Sequence, residues 1–224
     1  MNEPAGVDGH DRTAAVDVDF SCEEVVADRY AAGPTVVFKM RCDEASGVRV
    51  HAVALRCQVR AEPVRRGYSD SEAAQVVDLF GDRSRWGQTM QAMQLAFMTQ
   101  VLPGFTGSTT FDLTMPCSYD VEVAAHKYLA GLEDGFVPLL LLFSGTIFTG
   151  LPGTISVMPV PWHKETLVRM PVSVWREAMD AHFPGQAWLR LDRQSYERLA
   201  AYRGSHGLVG WDDTIAALLE EAGE

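Results

Sequence analysis

Closely spaced runs of alternating apolar and polar residues constrain this chain more than any other feature. Val16, Val18, Phe20 and Cys22 alternate with Asp17, Asp19 and Ser21. Val36, Phe38, Met40 and Cys42 then alternate with Lys39, Arg41 and Asp43, after the break at Gly33-Pro34. Past the Ser46-Gly47 turn, Val53, Leu55, Cys57 and Val59 mark one face of a longer run from Val48 to Ala61. A period of two places the apolar set on one face of a half-buried strand. Strands joined this closely pair antiparallel, because a parallel pair needs a crossover of about a dozen residues or more. The expected architecture is α+β: an antiparallel β-sheet or two-sheet sandwich with a mostly helical C-terminal segment.

The rest of the chain fills this outline. Residues 1–14 read as a tail, 15–162 as the β-rich domain and 163–224 as the helical segment. Ser69 and Glu72 form a capping box, and the helix they open ends at Gly81. Trp86 to Leu102 reads as helix and then strand, ending at Pro103-Gly104, and Phe111 to Met115 as a short strand. From Tyr119 to Leu132 two patterns compete. Val121, Ala124, Ala125, Tyr128, Leu129 and Leu132 make a helical stripe, while Asp134-Gly135 between apolar runs signals a hairpin. The hairpin reading gives a strand here, followed by Pro138 to Phe148. Thr154 to Val160 is a further strand. A helix begins at Pro171 and ends by Pro184-Gly185, and short helices follow around Tyr196–Tyr202 and Asp212–Glu221.

Composition narrows the function classes. A net charge of −11 disfavours nucleic acid and anionic lipid. Met1 to Asp11 has neither a basic start nor an apolar run, so a cytoplasmic location is expected. The longest apolar stretch, Val137 to Leu151, is interrupted by Pro138, Ser144, Gly145 and Gly150 and falls short of the roughly 20 residues of a membrane span. Cys22, Cys42, Cys57 and Cys117 form no CxxC pair, so reduced, buried thiols are expected and no metal or cofactor is assigned.

Candidate chemistry is sparse. Cys117, with Asp120 and His126 downstream, offers a weak thiolate nucleophile and base for a hydrolase or thiol enzyme. Trp162, inside Met158-Pro159-Val160-Pro161-Trp162, is a candidate interaction surface. The alternating Trp188 to Arg193 ahead of two helices resembles a ribbon–helix–helix module, which would use Arg190 and Arg193 on DNA. That reading also leaves a homodimer open.

Several segments carry a wider resemblance. Trp86-Gly87-Gln88-Thr89, Phe105-Thr106-Gly107-Ser108-Thr109, Pro116-Cys117-Ser118-Tyr119-Asp120, Leu132-Glu133-Asp134-Gly135, Phe143-Ser144-Gly145-Thr146 and Pro161-Trp162 resemble an uncharacterised bacterial family, a domain of unknown function. Members are often encoded beside uptake [NiFe]-hydrogenase subunits and their maturation factors. The resemblance implies an accessory protein with a protein partner, hydrogenase subunits being the candidate, and it assigns no chemistry to any residue.

Overall fold

A computed structural model describes residues 16–117, 123–150, 154–186 and 191–223. The chain forms two compact units, one running to Pro184 and one from Gly185. Among the described residues no helix is long and apolar enough to cross a membrane.

The first unit is a two-sheet antiparallel sandwich. One sheet has the order β1-β2-β5, from β1 (Val18–Ala27), β2 (Thr35–Glu44) and β5 (Ser108–Pro116). The other has β4 (Met93–Phe105) beside β3 (Val50–Ala61) and then β6 (Phe136–Thr149). The free edge of β6 takes two partners: β7 (Ser156–Pro159) along its second half and β8 (Glu165–Pro171) along its first. The inward sets of the alternating runs make the core, as their period requires. Phe38, Met40, Leu55, Leu113, Leu139, Leu141 and Ile147 are fully buried there, and Phe20 stacks on Phe143 across the sheets with ring centroids 4.4 Å apart. Thr166 and Lys164 fasten the β8 edge to β1: the Thr166 hydroxyl donates to the Phe20 carbonyl, and the Lys164 ammonium sits 2.8 Å from Asp17 and 2.7 Å from Asp19.

Short helices close the ends. Ser69 caps α1 (Asp70–Gln75) in the expected box, with its side chain accepting from Glu72 N–H and Glu72 accepting from Ser69 N–H. α2 (Val77–Phe80) and α3 (Trp86–Thr89) follow, then α4 (Val123–Ala130) and α5 (Val172–Asp180).

Several expectations are corrected. β2 and β3, though joined closely across Ser46-Gly47, do not pair: the chain crosses there from one sheet to the other. The segment expected as a strand before Asp134-Gly135 holds helix α4, although 118–122 lie outside the described residues. Burial of Ala125, Tyr128, Leu129 and Leu132 shows that the 3.6-residue stripe outweighed the turn signal. Gly135 still makes its positive-φ turn, but it links a helix to β6. β4 runs on through Pro103-Gly104 to Phe105, since a sheet-edge strand tolerates a proline whose missing N–H faces away from β3. β8 extends the sheet beyond residue 162, with Val168 and Met170 turned inward. Pro171 is the cap preceding α5, not its first residue.

The second unit is a pair of helices, α6 (Arg193–Ser205) and α7 (Trp211–Ala222). Asp192 caps α6, and Trp211 packs against Tyr196 and lies under the Arg203 guanidinium, 4.1 Å from the ring centroid. Arg193 belongs to helix α6 and pairs with Glu197 at 3.0 Å, so it is not a residue of a DNA-reading ribbon; Arg190 lies outside the described residues.

Candidate functional site

The two sheets present opposite kinds of outer surface. On the β1-β2-β5 sheet, the exposed outward side chains are largely charged or polar, and two ion pairs join them: Lys39 meets Asp112 at 2.8 Å and Arg41 meets Asp43 at 2.9 Å, flanked by Thr110 and Thr114. The outward pair at one end, Val26 and Val37, is covered, Val26 half-buried and Val37 buried. That is how a solvated face is usually built. The outer face of the five-stranded sheet is mostly apolar. Antiparallel register puts Pro103, Ala52, Phe148 and Val157 in one cross-strand row and Val101, Ala54, Thr146 and Pro159 in the next. A polar belt of Thr99, Arg56 and Ser144 follows. Beyond it Phe97, Gln58, Leu142 and Glu165 form a row, and Leu140 lies beside Leu167. Phe97, Val101 and Val157 are 65%, 67% and 61% exposed. Small side chains on the central strand, Ala52 and Ala54, lie between larger ones on β4 and β6, so the face has a shallow trough along β3 that ends at Arg56.

Trp162 stands at the edge of this sheet, 92% exposed. Its presentation is built by a two-residue insertion: Val160 N–H donates to Gly145 O, and Phe143 N–H to Lys164 O, so five residues of the edge span three of β6. Pro161 to Lys164 closes a turn through Lys164 N–H donating to Pro161 O, 3.1 Å, with Trp162 and His163 at its centre. The two aspartates on Lys164 hold the far side of that turn. Such preorganisation lowers the entropy lost when an aromatic anchor is buried by a partner.

The catalytic candidates have a different setting. Cys117 is buried after β5, where its backbone N–H donates to Pro34 O and its Sγ donates to Met115 O at 3.7 Å. Burial pushes its thiol up to about 12, and does the same to Cys42 and Cys57; Cys22, half-buried, is raised to about 11. A nucleophilic cysteine requires the opposite shift. His126 lies on α4, edge-on to Trp175 with centroids 5.8 Å apart, and burial lowers its pKa. Asp120 lies outside the described residues. We therefore expect a thiol-reactive disulfide reagent at about pH 8 to label Cys42, Cys57 and Cys117 only after denaturant is added. Rapid native labelling of Cys117, read by peptide mapping, would restore it as a nucleophile.

One buried polar cluster escaped the sequence reading. Arg66 and Glu72, with side chains 6% and 5% exposed, pair at 2.7 Å. Glu72 also accepts from the N–H groups of Glu133 (2.9 Å) and Ser69 (3.1 Å), and Arg66 donates to the Asp134 carbonyl (3.2 Å). Tyr68 donates to the Pro63 carbonyl, leaving its oxygen to accept from Tyr128 at 3.0 Å. Burial, and then Tyr128, raise the Tyr68 pKa far above the ordinary phenol range. The capping-box glutamate was visible in the sequence, but the contacts that build the cluster around it, from Glu133 to Glu72 and from Tyr128 to Tyr68, span 61 and 60 positions and left no local signal. Every polar atom of Glu72 is engaged by the protein itself, so this cluster ties α1 and α4 to the start of β6.

A cleft beside α5, lined by Arg29, Glu133, Asp134, Arg176, Glu177 and Asp180, is likewise occupied by its own contacts. Arg29 pairs with Glu177 at 2.6 Å and Arg176 donates to the Leu132 carbonyl. The apolar outer face, with the Trp162 turn at its edge, is the candidate site. No curated protein sequence matches the chain. A family model, described as a family of unknown function (DUF6084), matches residues 15–224, and the chain belongs to that family.

Proposed function

We propose that this is a non-catalytic binding protein that docks a protein partner on the outer face of its five-stranded sheet, with Trp162 as an anchor at the rim. The carrying observation is the asymmetry of the sandwich: the exposed part of one outer face is largely charged or polar, with Lys39–Asp112 and Arg41–Asp43 paired, while the other exposes Phe97, Val101, Val157 and Leu167. Exposed apolar patches on a folded domain, here one on each side of the Thr99–Arg56–Ser144 belt, mark an interaction site. Tryptophan is enriched among residues that dominate binding energy. The sequence resemblance makes [NiFe]-hydrogenase subunits the first partner to test, with an accessory role in their assembly in the cytoplasm.

The test is quantitative recovery of hydrogenase subunits from the native organism on tagged wild type, on Val101→Asp with Leu167→Asp, and on Trp162→Ala. All three substituted side chains are exposed, so thermal unfolding is expected to change little. Wild type should retain the subunits. The double variant should lose them, and Trp162→Ala should bind roughly thirtyfold more weakly, the effect of an anchor worth about 2 kcal/mol. Equal recovery on wild type and both variants rejects the docking face, and absence of hydrogenase subunits from wild type rejects the accessory role.

A further inference from the structure

The charges on this face specify its partner further, an inference that rests on the docking face proposed above. The chain carries 30 acidic and 19 basic residues, yet the outward positions of the five strands hold Arg56, Arg60 and Arg169 against Glu165 alone. Arg56 is exposed at the foot of the Ala52–Ala54 trough and has no ion pair among the described residues. Arg60 is only loosely matched, 3.6 Å from Glu62. Arg169 lies over the Phe136 ring, 3.5 Å from its centroid, where its cation is held against the face without a carboxylate. An acidic protein has thus gathered cations on its most apolar surface, where an uncompensated charge is most costly to cover.

We propose that the segment docking here is itself acidic and apolar: its apolar side chains lie in the trough over Ala52 and Ala54, between Val101 and Phe148, and its carboxylates meet Arg56, Arg60 and Arg169. The complementarity selects the partner as well as binding it. A basic or neutral apolar segment would leave the arginines desolvated and unpaired, whereas carboxylates satisfy the guanidinium in its preferred bidentate geometry. The net negative charge elsewhere on the chain would repel the same acidic segment from every other face.

The test uses two rhodamine-labelled helical peptides of about five turns, one with a leucine stripe flanked by glutamates and the other with lysines in place of the glutamates. Binding to the full chain is read by fluorescence anisotropy. The acidic peptide should bind at least about tenfold more tightly than the basic one, and raising salt from about 50 mM to about 500 mM should erode the difference. Arg56→Glu with Arg169→Glu should reverse the preference, and Val101→Asp should weaken both peptides. Equal binding of both peptides, with loss of both in Val101→Asp, overturns the acidic preference while leaving the docking face intact. Failure of both to bind wild type overturns the proposal. So does displacement of the acidic peptide by a single-stranded oligonucleotide, which would make the face a nucleic-acid surface. A concentration-dependent dimer that Val101→Asp dissolves would overturn it too, by making a second copy the occupant.

Discussion

Replacing Gly145 with alanine should cost about 4 kcal/mol or more of stability, although it adds a single methyl group. Gly145 adopts φ +143°, a conformation open in practice only to glycine, and a Cβ built there would lie 2.1 Å from the Ala54 carbonyl oxygen and 3.1 Å from its carbon. Those contacts are backbone of the neighbouring central strand, so no side chain can rotate away. Relief requires β3 and β6 to separate, breaking ladder hydrogen bonds each worth about 1 kcal/mol, on top of roughly 1–3 kcal/mol of backbone strain. Gly135 provides the control. It too has positive φ, at +77°, but nothing lies within 4 Å of its Cβ position, so alanine there should cost only about 1–2 kcal/mol. Urea unfolding of both variants measures the gap. Equal midpoints would mean that β3 and β6 do not approach as closely as described. The same experiment bears on the site, because Gly145 O accepts the Val160 N–H that opens the Trp162 turn, and strain at this position should loosen that turn as well.

Gly145 also illustrates what the sequence could and could not reveal. Where one face of a strand is buried and the other polar, as in β1, β2 and β5, the alternation is written in the residues and the strands were legible. β6 is different. Leu139 and Leu141 point inward while Leu140 and Leu142 point outward, so its apolar run reads as a strand buried on both sides. The outer face was hidden for that reason: nothing local distinguishes an outward leucine awaiting a partner from one covered by the fold. The two-residue insertion that presents Trp162 depends on pairing with β6, and register across non-local strands is set by tertiary packing. Trp162 itself was legible because prolines at 159 and 161 mark it as a turn residue. In α4, a two-residue turn signal competed with a four-residue buried stripe. The stripe prevailed because burying Tyr128 and Leu129 stabilises the fold by several times what turn chemistry contributes.

Arg66→Met should destabilise the protein by about 3–5 kcal/mol near pH 7, because it leaves the Glu72 carboxylate buried without its cation. Changing both partners, with Glu72→Leu added, should cost less than the two single changes summed. The double variant has no buried charge to compensate, although it gives up the capping contact to Ser69 and the acceptor for Glu133 N–H. The pH dependence separates this account from simple loss of packing. Burial alone would raise the Glu72 pKa, but the Glu133 and Ser69 N–H groups together with the Arg66 guanidinium outweigh it and hold the carboxyl below its ordinary value. A carboxylate depressed in the folded state stabilises it fully above the unfolded-state pKa, about 4.3 for glutamate. That contribution is lost as pH falls from there through the folded-state value. Wild type should therefore weaken with acid over this window. In Arg66→Met burial is less opposed, so Glu72 can take up a proton at higher pH and relieve its own penalty. The stability gap between the two proteins should be widest near neutrality and narrow toward about pH 4. Urea midpoints across that range decide the matter: a gap independent of pH would mean that Arg66 contributes through its packing against Tyr68, over whose ring it lies at 4.9 Å, and not through its charge.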